Sequence, residues 1–460
     1  MLSLTLAELC RVVGGRLLQG DPGTAVQGVS TDSRRTGEGE VFFALRGSRF
    51  DGHDFVAEAL SRGARAAVVA RRPAAPVEGA LILVDDTLRA LQALAGYHRQ
   101  KVFSGELIGI TGSSGKTTTK NLVAQVLEAK FKVLKTPGNF NNEIGLPLTL
   151  LQLTPEHQVA VVEMAMRGRG EIAALCRVAR PTAGLITNIG TAHLGRLGSV
   201  ENIARAKGEL LAALPAEGWA VLNGDDEWCR RLAEELQVRA VFYGIERPAT
   251  VYAKDISFQG WQGTEFKAVF PERTVTVRLP ILGKHNVLNS LAALATGYFL
   301  GIEAEAMAER LAQWPRESLR QEFLAGPRGS WIYNDAYNAN PESTLAALSV
   351  LSQLPGRKVA VLGDMLELGA GAAGLHRKVG RAAAAAGVSL LVTVGDLARE
   401  MAEGAREAGL PADRVFSFGE PREAALFLAG VLGPGDVLLL KGSRAVGMEQ
   451  ILETFKEVEA

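Results

Sequence analysis

Short apolar runs alternate with stretches of helical periodicity along most of this chain. Near the start, Thr5 and Glu8 have the spacing of a capping box, and LAELCRVV runs into Gly14-Gly15. That combination predicts a short helix. VFFAL and AAVVA predict strands, with helix-like DFVAEALSRG between them. RRPAAPVEG, residues 71 to 79, is a proline-containing connection, and the apolar run LILVDD follows it. A first boundary is expected near residue 85. TLRALQALAGYHRQ then reads as a helix. Beyond it, ELIGIT precedes KTTTKNLVAQVLEAK, QVAVVEMAM stands alone, AGLITNIG precedes ENIARAKGELLAAL, and WAVLNGDD follows. Strands alternating with helices imply βαβ units and a parallel sheet. TEFKAVF and TVTVRL instead alternate residue by residue, which predicts an antiparallel addition over residues 250 to 280. The helical run NVLNSLAALATGYFLG closes this segment. From Trp314-Pro315 onward, WIYNDAY, KVAVLGD, LLVTVGD and DVLLLKG predict strands of a second α/β unit, with alanine-rich helices between them. The expected domains are residues 1–85, 86–314 and 315–460.

Composition sharpens this picture by exclusion. A chain of 460 residues is too long for one core, so two to four domains are expected. Hydrophobic residues at 47% and charged residues at 22% are ordinary for a globular protein. Fifty basic residues balance fifty acidic ones, so no net field draws the chain toward nucleic acid or an acidic membrane. Any phosphate must therefore be bound locally. Cys10, Cys176 and Cys229 are far apart and form neither a zinc pattern nor a disulfide framework, which suits a reducing compartment. The first ten residues lack a basic region before an apolar core, and no apolar run approaches the roughly 18 residues of a membrane helix. The expected location is the cytoplasm, with no membrane insertion and no nucleic-acid partner.

The candidate chemistry begins at Thr111-Gly112-Ser113-Ser114-Gly115-Lys116-Thr117. This stretch lies between a buried-strand pattern and a helix whose apolar face carries Leu122, Val123, Val126 and Leu127. Glycines let a backbone wrap phosphate oxygens, and the N–H groups opening the helix point at the anion. Lys116 supplies a charge, and the Thr117 hydroxyl suits magnesium. Ile110 stands where the common phosphate-loop spacing has glycine, and Gly109 comes one residue early. Glu163 ends one neighbouring strand pattern and His193 follows another. In a parallel sheet, ligands gather at the carboxyl ends of strands, so both could reach the edge that holds Thr117. A carboxylate and an imidazole there could hold a divalent metal at the phosphates. This reading establishes ATP use and leaves ligase, kinase, motor and switch open.

The loop TGSSGKTT, Glu163, TNIGTAHLGRLGS, Ala206-Lys207-Gly208-Glu209 and GKHNVLN together resemble the Mur ligase family in order and spacing. STDSRRTGEGEVFFALRGSRFDGHDF resembles the family's uridine-nucleotide-binding first domain. GNFNNEIGLP, DAYNANP, VLGDMLELG and KGSR resemble its pentapeptide-forming branch. The resemblance implies an α/β protein of three domains. These are a small mixed α/β uridine-nucleotide-binding domain, a P-loop parallel-sheet ATPase domain with an antiparallel addition, and a Rossmann-like α/β C-terminal domain. It also implies a monomer that uses ATP and two Mg2+ ions to join UDP-N-acetylmuramoyl-tripeptide to D-alanyl-D-alanine in peptidoglycan precursor synthesis.

Carried over residue by residue, the resemblance gives Thr111 to Thr118 to the nucleotide, with Lys116 at the transferred phosphoryl group. Thr117 and Glu163 would hold one magnesium and His193 would belong to a second site. Lys207 matches a lysine that is carbamylated in the family, its added carboxylate serving the second ion. Asn286 and Asn289 match positions near adenine. Arg320, in SLRQEF, and Asp335 match third-domain groups at the phosphates and ribose, brought in by domain closure. Thr31, Asp32, Ser33 and Arg34 match uridine-nucleotide positions. Asn139, Asn141, Asn142 and Glu143 match a stretch lining the acceptor and peptide site, and Tyr337, Asn338 and Asn340 face the peptide. The tripeptide-forming branch shares the first domain and stays open. A folylpolyglutamate synthetase should lack the module at residues 25 to 55. A P-loop switch would hydrolyse ATP without an amine acceptor.

Overall fold

The computed structural model describes residues 3–47, 49–315 and 319–459. Ser48, in the first-domain motif, and Ser318, ahead of Arg320, lie outside them. The opening helix, Leu6–Val13, forms as its signals require: the Thr5 hydroxyl and the Glu8 carboxylate exchange capping bonds with backbone amides, and Gly14 ends the helix in the left-handed region. It buries Leu6 and Leu9 over a small five-stranded sheet. The order there is Arg16–Gln19, Ala80–Leu83, Ala66–Val69, Val41–Phe43, Val29–Ser30, with the first strand antiparallel and the others parallel.

Thr87–Val102 is a helix capped by the Asp86 carboxylate. Its Ala90, Leu91 and Leu94 belong to the core of the small sheet, whereas Ala95 belongs to the core of the next one. One helix thus serves two cores and ties them together.

The central sheet has nine strands. The order is Thr274–Leu279, Thr264–Val269, Val251–Phe258, Arg239–Gly244, Trp219–Asn223, Ala183–Ile186, Glu106–Thr111, Val159–Glu163, Val133–Lys135. After Glu106–Thr111 the chain first builds on one side of that strand and then on the other. The reversal creates a crevice at the strand's carboxyl end, which is where ligands enter such sheets. The antiparallel addition is continuous with the parallel part. Val251–Phe258 pairs parallel with Arg239–Gly244 and antiparallel with Thr264–Val269. Neither Val133–Lys135 nor Arg239–Gly244 was legible from periodicity. The first has three residues, too few to show a period, and the second follows a helix without a turn signal.

The third sheet runs Glu322–Ala325, Trp331–Asn334, Val437–Lys441, Lys358–Gly363, Leu390–Val394, Val415–Phe418, with only the first strand antiparallel. It touches the central sheet's addition through rings: Trp261 lies 5.0 Å edge-on from Phe323 and 5.4 Å from Trp331. Among the described residues no helix is long and apolar enough to cross a membrane.

Candidate active site

Thr111 ends its strand, and the chain then turns sharply under the start of helix Lys116–Leu127. Two glycines make the turn possible. Gly112 has φ 151°, and a Cβ there would sit 1.9 Å from the Thr187 hydroxyl. Gly115 has φ 77°, and its Cβ would sit 2.7 Å from Asn289 Oδ1. No L side chain fits either position. The neighbouring segment 187–190 braces the loop. The Ser113 amide donates to the Asn188 carbonyl at 2.9 Å, and the Ser114 amide to Asn188 Oδ1 at 3.0 Å. Thr187 Oγ1 donates to the Ser114 carbonyl at 2.6 Å, and the Gly190 amide to Ser113 Oγ at 2.8 Å.

Two lysines meet at one carbonyl. Lys116 Nζ and Lys207 Nζ each donate to the Gly112 oxygen at 2.8 Å. Lys207 comes from helix Val200–Ala212 and is almost fully buried. Burial first, and the Lys116 charge second, hold its pKa well below the usual lysine range. Burial also lowers Lys116; Arg320 adds to that effect, while Glu163 opposes it. Glu163 sits at the strand end beside Ile110. One of its oxygens accepts from Asn141 Nδ2 at 2.7 Å, and the other is buried with no partner. An orphaned carboxylate oxygen deep in a site calls for a cation or a bound donor.

The third sheet supplies the opposite wall. Arg320 lies over the Tyr337 ring at 4.0 Å and donates to Thr117 Oγ1 at 3.2 Å. Asp335 is paired with the buried Lys441 at 2.5 Å, and Lys441 also donates to the Asn338 carbonyl at 3.0 Å. Gln321 Nε2 lies 2.7 Å from His285 Nε2 on the central side. Burial pulls the His285 pKa down to about 4. Glu342 reaches across to Thr191, accepting from its amide at 2.9 Å and its hydroxyl at 2.7 Å. His193 Nδ1 lies 2.7 Å from Glu367 Oε2. Burial lowers the His193 pKa against the pull of Glu367, and both lysines add to the lowering.

These walls enclose a cavity of about 590 Å³. It brings together Ser113 to Thr118, Asn139, Asn141, Glu163, His193, Asn286, Asn289, Arg320, Asp335, Tyr337, Asn338 and Asn340. Thr111, Gly112 and Lys207 lie directly behind that lining. Asn142 and Glu143 do not join it. Asn142 Oδ1 is used locally, taking the amides of Ile144 and Gly145 at 3.2 Å and 2.8 Å, and Glu143 offers only its carbonyl, to Gln92. Asn340 does two jobs, since it also caps helix Pro341–Gln353. Thr31 to Arg34 follow the edge strand Val29–Ser30 of the small sheet, where Asp32 caps a short 3-10 turn, and lie outside the cavity's lining. There Asp32 binds Arg34 through both oxygens, and Ser33 donates to Glu58.

Sequence reasoning passed over Lys441, Glu342, His285, Gln321 and Asn188, which all line the cavity. Lys441 lay inside the motif KGSR and Asn188 inside TNIG, so a signal existed for both. His285 lay inside GKHNVLN and Gln321 inside SLRQEF, while Glu342 falls one residue beyond DAYNANP.

Three family models match in chain order. They are the Mur ligase family catalytic domain over residues 25–99, the Mur ligase middle domain over 110–297, and the Mur ligase glutamate ligase domain over 319–444. The chain is 39% identical to UDP-N-acetylmuramoyl-tripeptide–D-alanyl-D-alanine ligase of Bacillus subtilis, across 99% of each chain. Its structure is similar to MurF from Acinetobacter baumannii, with TM-score 0.91 and 34% identity over 99% of each chain. It is also similar to MurF of Thermotoga maritima in complex with ADP, with TM-score 0.82 and 32% identity over 94% of this chain and 98% of that one.

Proposed function

The chain belongs to the Mur ligase family, and from that premise we propose that it joins D-alanyl-D-alanine to UDP-N-acetylmuramoyl-tripeptide at the expense of ATP. The observation that carries this reading is end-to-end similarity to relatives named for that reaction, over a cleft whose floor is a phosphate loop.

The chemistry follows from the groups present. A carboxylate is a poor acyl donor, because its leaving group would be oxide. Attack of a tripeptide carboxylate oxygen on the γ-phosphorus of ATP forms an acyl phosphate and releases ADP. The acceptor's neutral amine then adds to the acyl carbon, and the tetrahedral oxyanion collapses with loss of inorganic phosphate and one proton. The first step brings two anions together, so positioning and charge dominate. Lys116 and the amides of residues 115 to 118, at the start of the helix, hold the phosphates, and Arg320 adds a charge from the other wall. Asn286 and Asn289 are assigned to the adenine side and Asp335 to the ribose. Asn139, Asn141, Tyr337, Asn338 and Asn340 line the peptide and acceptor side. Thr31 to Arg34 receive the uridine nucleotide at the turn beyond the edge of the small sheet. Water would hydrolyse the acyl phosphate, so contact between the central and third walls protects it.

Magnesium fits the donors. Glu163 keeps a buried free oxygen, and Thr117 offers a hydroxyl. Among the described residues no three His, Cys, Asp or Glu side chains converge as a metal cage. That suits an ion that keeps water and phosphate oxygens among its ligands. When bound, it would neutralise charge on the phosphates; His193 and a carbamylated Lys207 would serve a second ion. The lowered pKa of Lys207 favours the neutral amine, the form that adds to carbon dioxide with loss of a proton. In 13CO2 a carbamate carbon resonance should appear in the wild type and vanish in Lys207→Ala; its absence from both removes that role. The reading puts the reaction in the cytoplasm, where ATP is abundant and free thiols persist.

The test is phosphate release with ATP, magnesium, UDP-N-acetylmuramoyl-tripeptide and a panel of acceptors, with mass spectrometry of the product. Release that depends on D-alanyl-D-alanine supports the reading. Release that depends on a diamino acid with the dipeptide precursor transfers it to the tripeptide-forming branch. Release without any acceptor makes the chain a nucleotide switch.

A further inference from the structure

Two loops from different sheets meet at the far side of the cleft. One follows strand Ala183–Ile186 and carries Thr191, His193 and Gly195. The other follows strand Lys358–Gly363 and carries Glu367 and Gly369. His193 and Glu367, 2.7 Å apart, both have positive φ, 67° and 63°. Non-glycine residues hold that conformation only where the surroundings enforce it, and such residues gather at functional geometry. Beside them, Gly195 and Gly369 touch backbone to backbone. A Cβ on Gly195 would sit 2.7 Å from the Gly369 amide nitrogen, and one on Gly369 would sit 2.6 Å from Gly195 Cα. The Thr191–Glu342 bonds fasten the same loop to the third sheet. His193 lines the cavity, whereas Glu367 does not.

We propose that Glu367 is a positioning residue that reports closure of the third domain to the phosphate-binding wall. Once the two loops seat, the Glu367 carboxylate accepts the Nδ1 proton of His193. That fixes the ring's orientation and leaves Nε2 as its free acceptor, on a residue that lines the cleft. A histidine whose second nitrogen is held by a carboxylate is thereby set in one tautomer. Apart, the loops leave both tautomer and ring angle free. The Gly195–Gly369 approach lets the loops seat this closely, because a Cβ on either glycine would collide with the other's backbone.

The inference rests on the ligase reading for its activity assay, but its core is read without turnover. Nitrogen-15 histidine spectra of the full chain, with ADP and UDP-N-acetylmuramoyl-tripeptide, report the tautomer, and the His193 signal is assigned by its loss in His193→Gln. The wild type should show a protonated Nδ1 and a bare Nε2. Glu367→Gly, which suits the positive φ, should give a mixed tautomer and a kcat lower by about tenfold, with the KM for ATP within about twofold. Glu367→Gln keeps an oxygen acceptor and should restore the wild-type tautomer and much of kcat. Gly195 lies in the short helix Leu194–Leu197 at ordinary φ, so Gly195→Ala should fold and bind ADP yet show the mixed tautomer. An unchanged tautomer in both Glu367→Gly and Gly195→Ala would overturn the proposal, as would a bare Nδ1 in the wild type. If no ligase activity is found but the tautomers change as stated, the ligase reading falls and this one stands.

Discussion

Ser113 and Ser114, at the turn of the phosphate loop, are held by bonds from the neighbouring segment of the central sheet, whereas Arg320, Asp335 and Glu342 reach the same cavity from the third sheet. The central wall is braced by Thr187, Asn188 and Gly190, all in one short segment beside the loop. Its polar groups are held in place by the fold itself, and the two lysines at the Gly112 oxygen are part of that arrangement. The third wall is set on a turn in which Leu319 and Gln321 have positive φ, 59° and 49°. Its bonds to the central wall join residues 36 to 203 positions apart. One wall is therefore a preformed phosphate cradle, and the other arrives by domain placement. That division suits a reaction whose first step needs charge and whose second needs dryness.

Disabling the preformed wall should cost the enzyme most. Lys116→Ala should lower kcat by at least about 10²-fold, the typical loss for one preorganised electrostatic donor, with far-UV circular dichroism unchanged. Turnover within a few-fold of wild type would mean the cradle does not carry the phosphoryl step. A smaller effect is expected from loosening the other wall at a distance. Trp261→Ala removes two ring pairs, worth about 1–3 kcal/mol together. It should lower the urea midpoint of the third domain and reduce kcat a few-fold, while ADP affinity holds. Weakened ADP binding with an unchanged midpoint would contradict the division of labour.

The smallest effect at neutral pH concerns His285, where the walls touch through Gln321. Its folded pKa, about 4, lies below the ordinary value of 6.5. Between those values the unfolded chain binds more protons, so stability rises with pH there. The contribution is complete above pH 6.5 and is lost as pH falls toward 4. Denaturant titrations should show this slope in the wild type and a flatter profile in His285→Gln. Identical profiles would remove His285 from the account.

Much of the preformed wall was legible because its parts are contiguous. The strand, the glycine loop, Lys116-Thr117 and the helix follow one another, and Glu163 ends one recognisable strand while His193 follows another. Thr5 and Glu8 likewise announced their helix. The third wall was legible only where resemblance supplied motifs, as at Asp335 and Tyr337. Gln321, Glu342 and Glu367 matter through partners 36, 151 and 174 positions away, and no period or spacing encodes such contacts. Asn142 shows the opposite failure. It sits amid asparagines that face the cleft, yet its side chain is consumed by the turn that starts helix Gly145–Leu150.

Isotope transfer reads out whether ATP activates a carboxylate. UDP-N-acetylmuramoyl-tripeptide with both oxygens of the reacting carboxylate labelled by oxygen-18 is incubated with ATP, magnesium and D-alanyl-D-alanine. Each inorganic phosphate released should carry one labelled oxygen, and the new amide should keep the other. Unlabelled phosphate alongside fully labelled, unreacted carboxylate would contradict that activation.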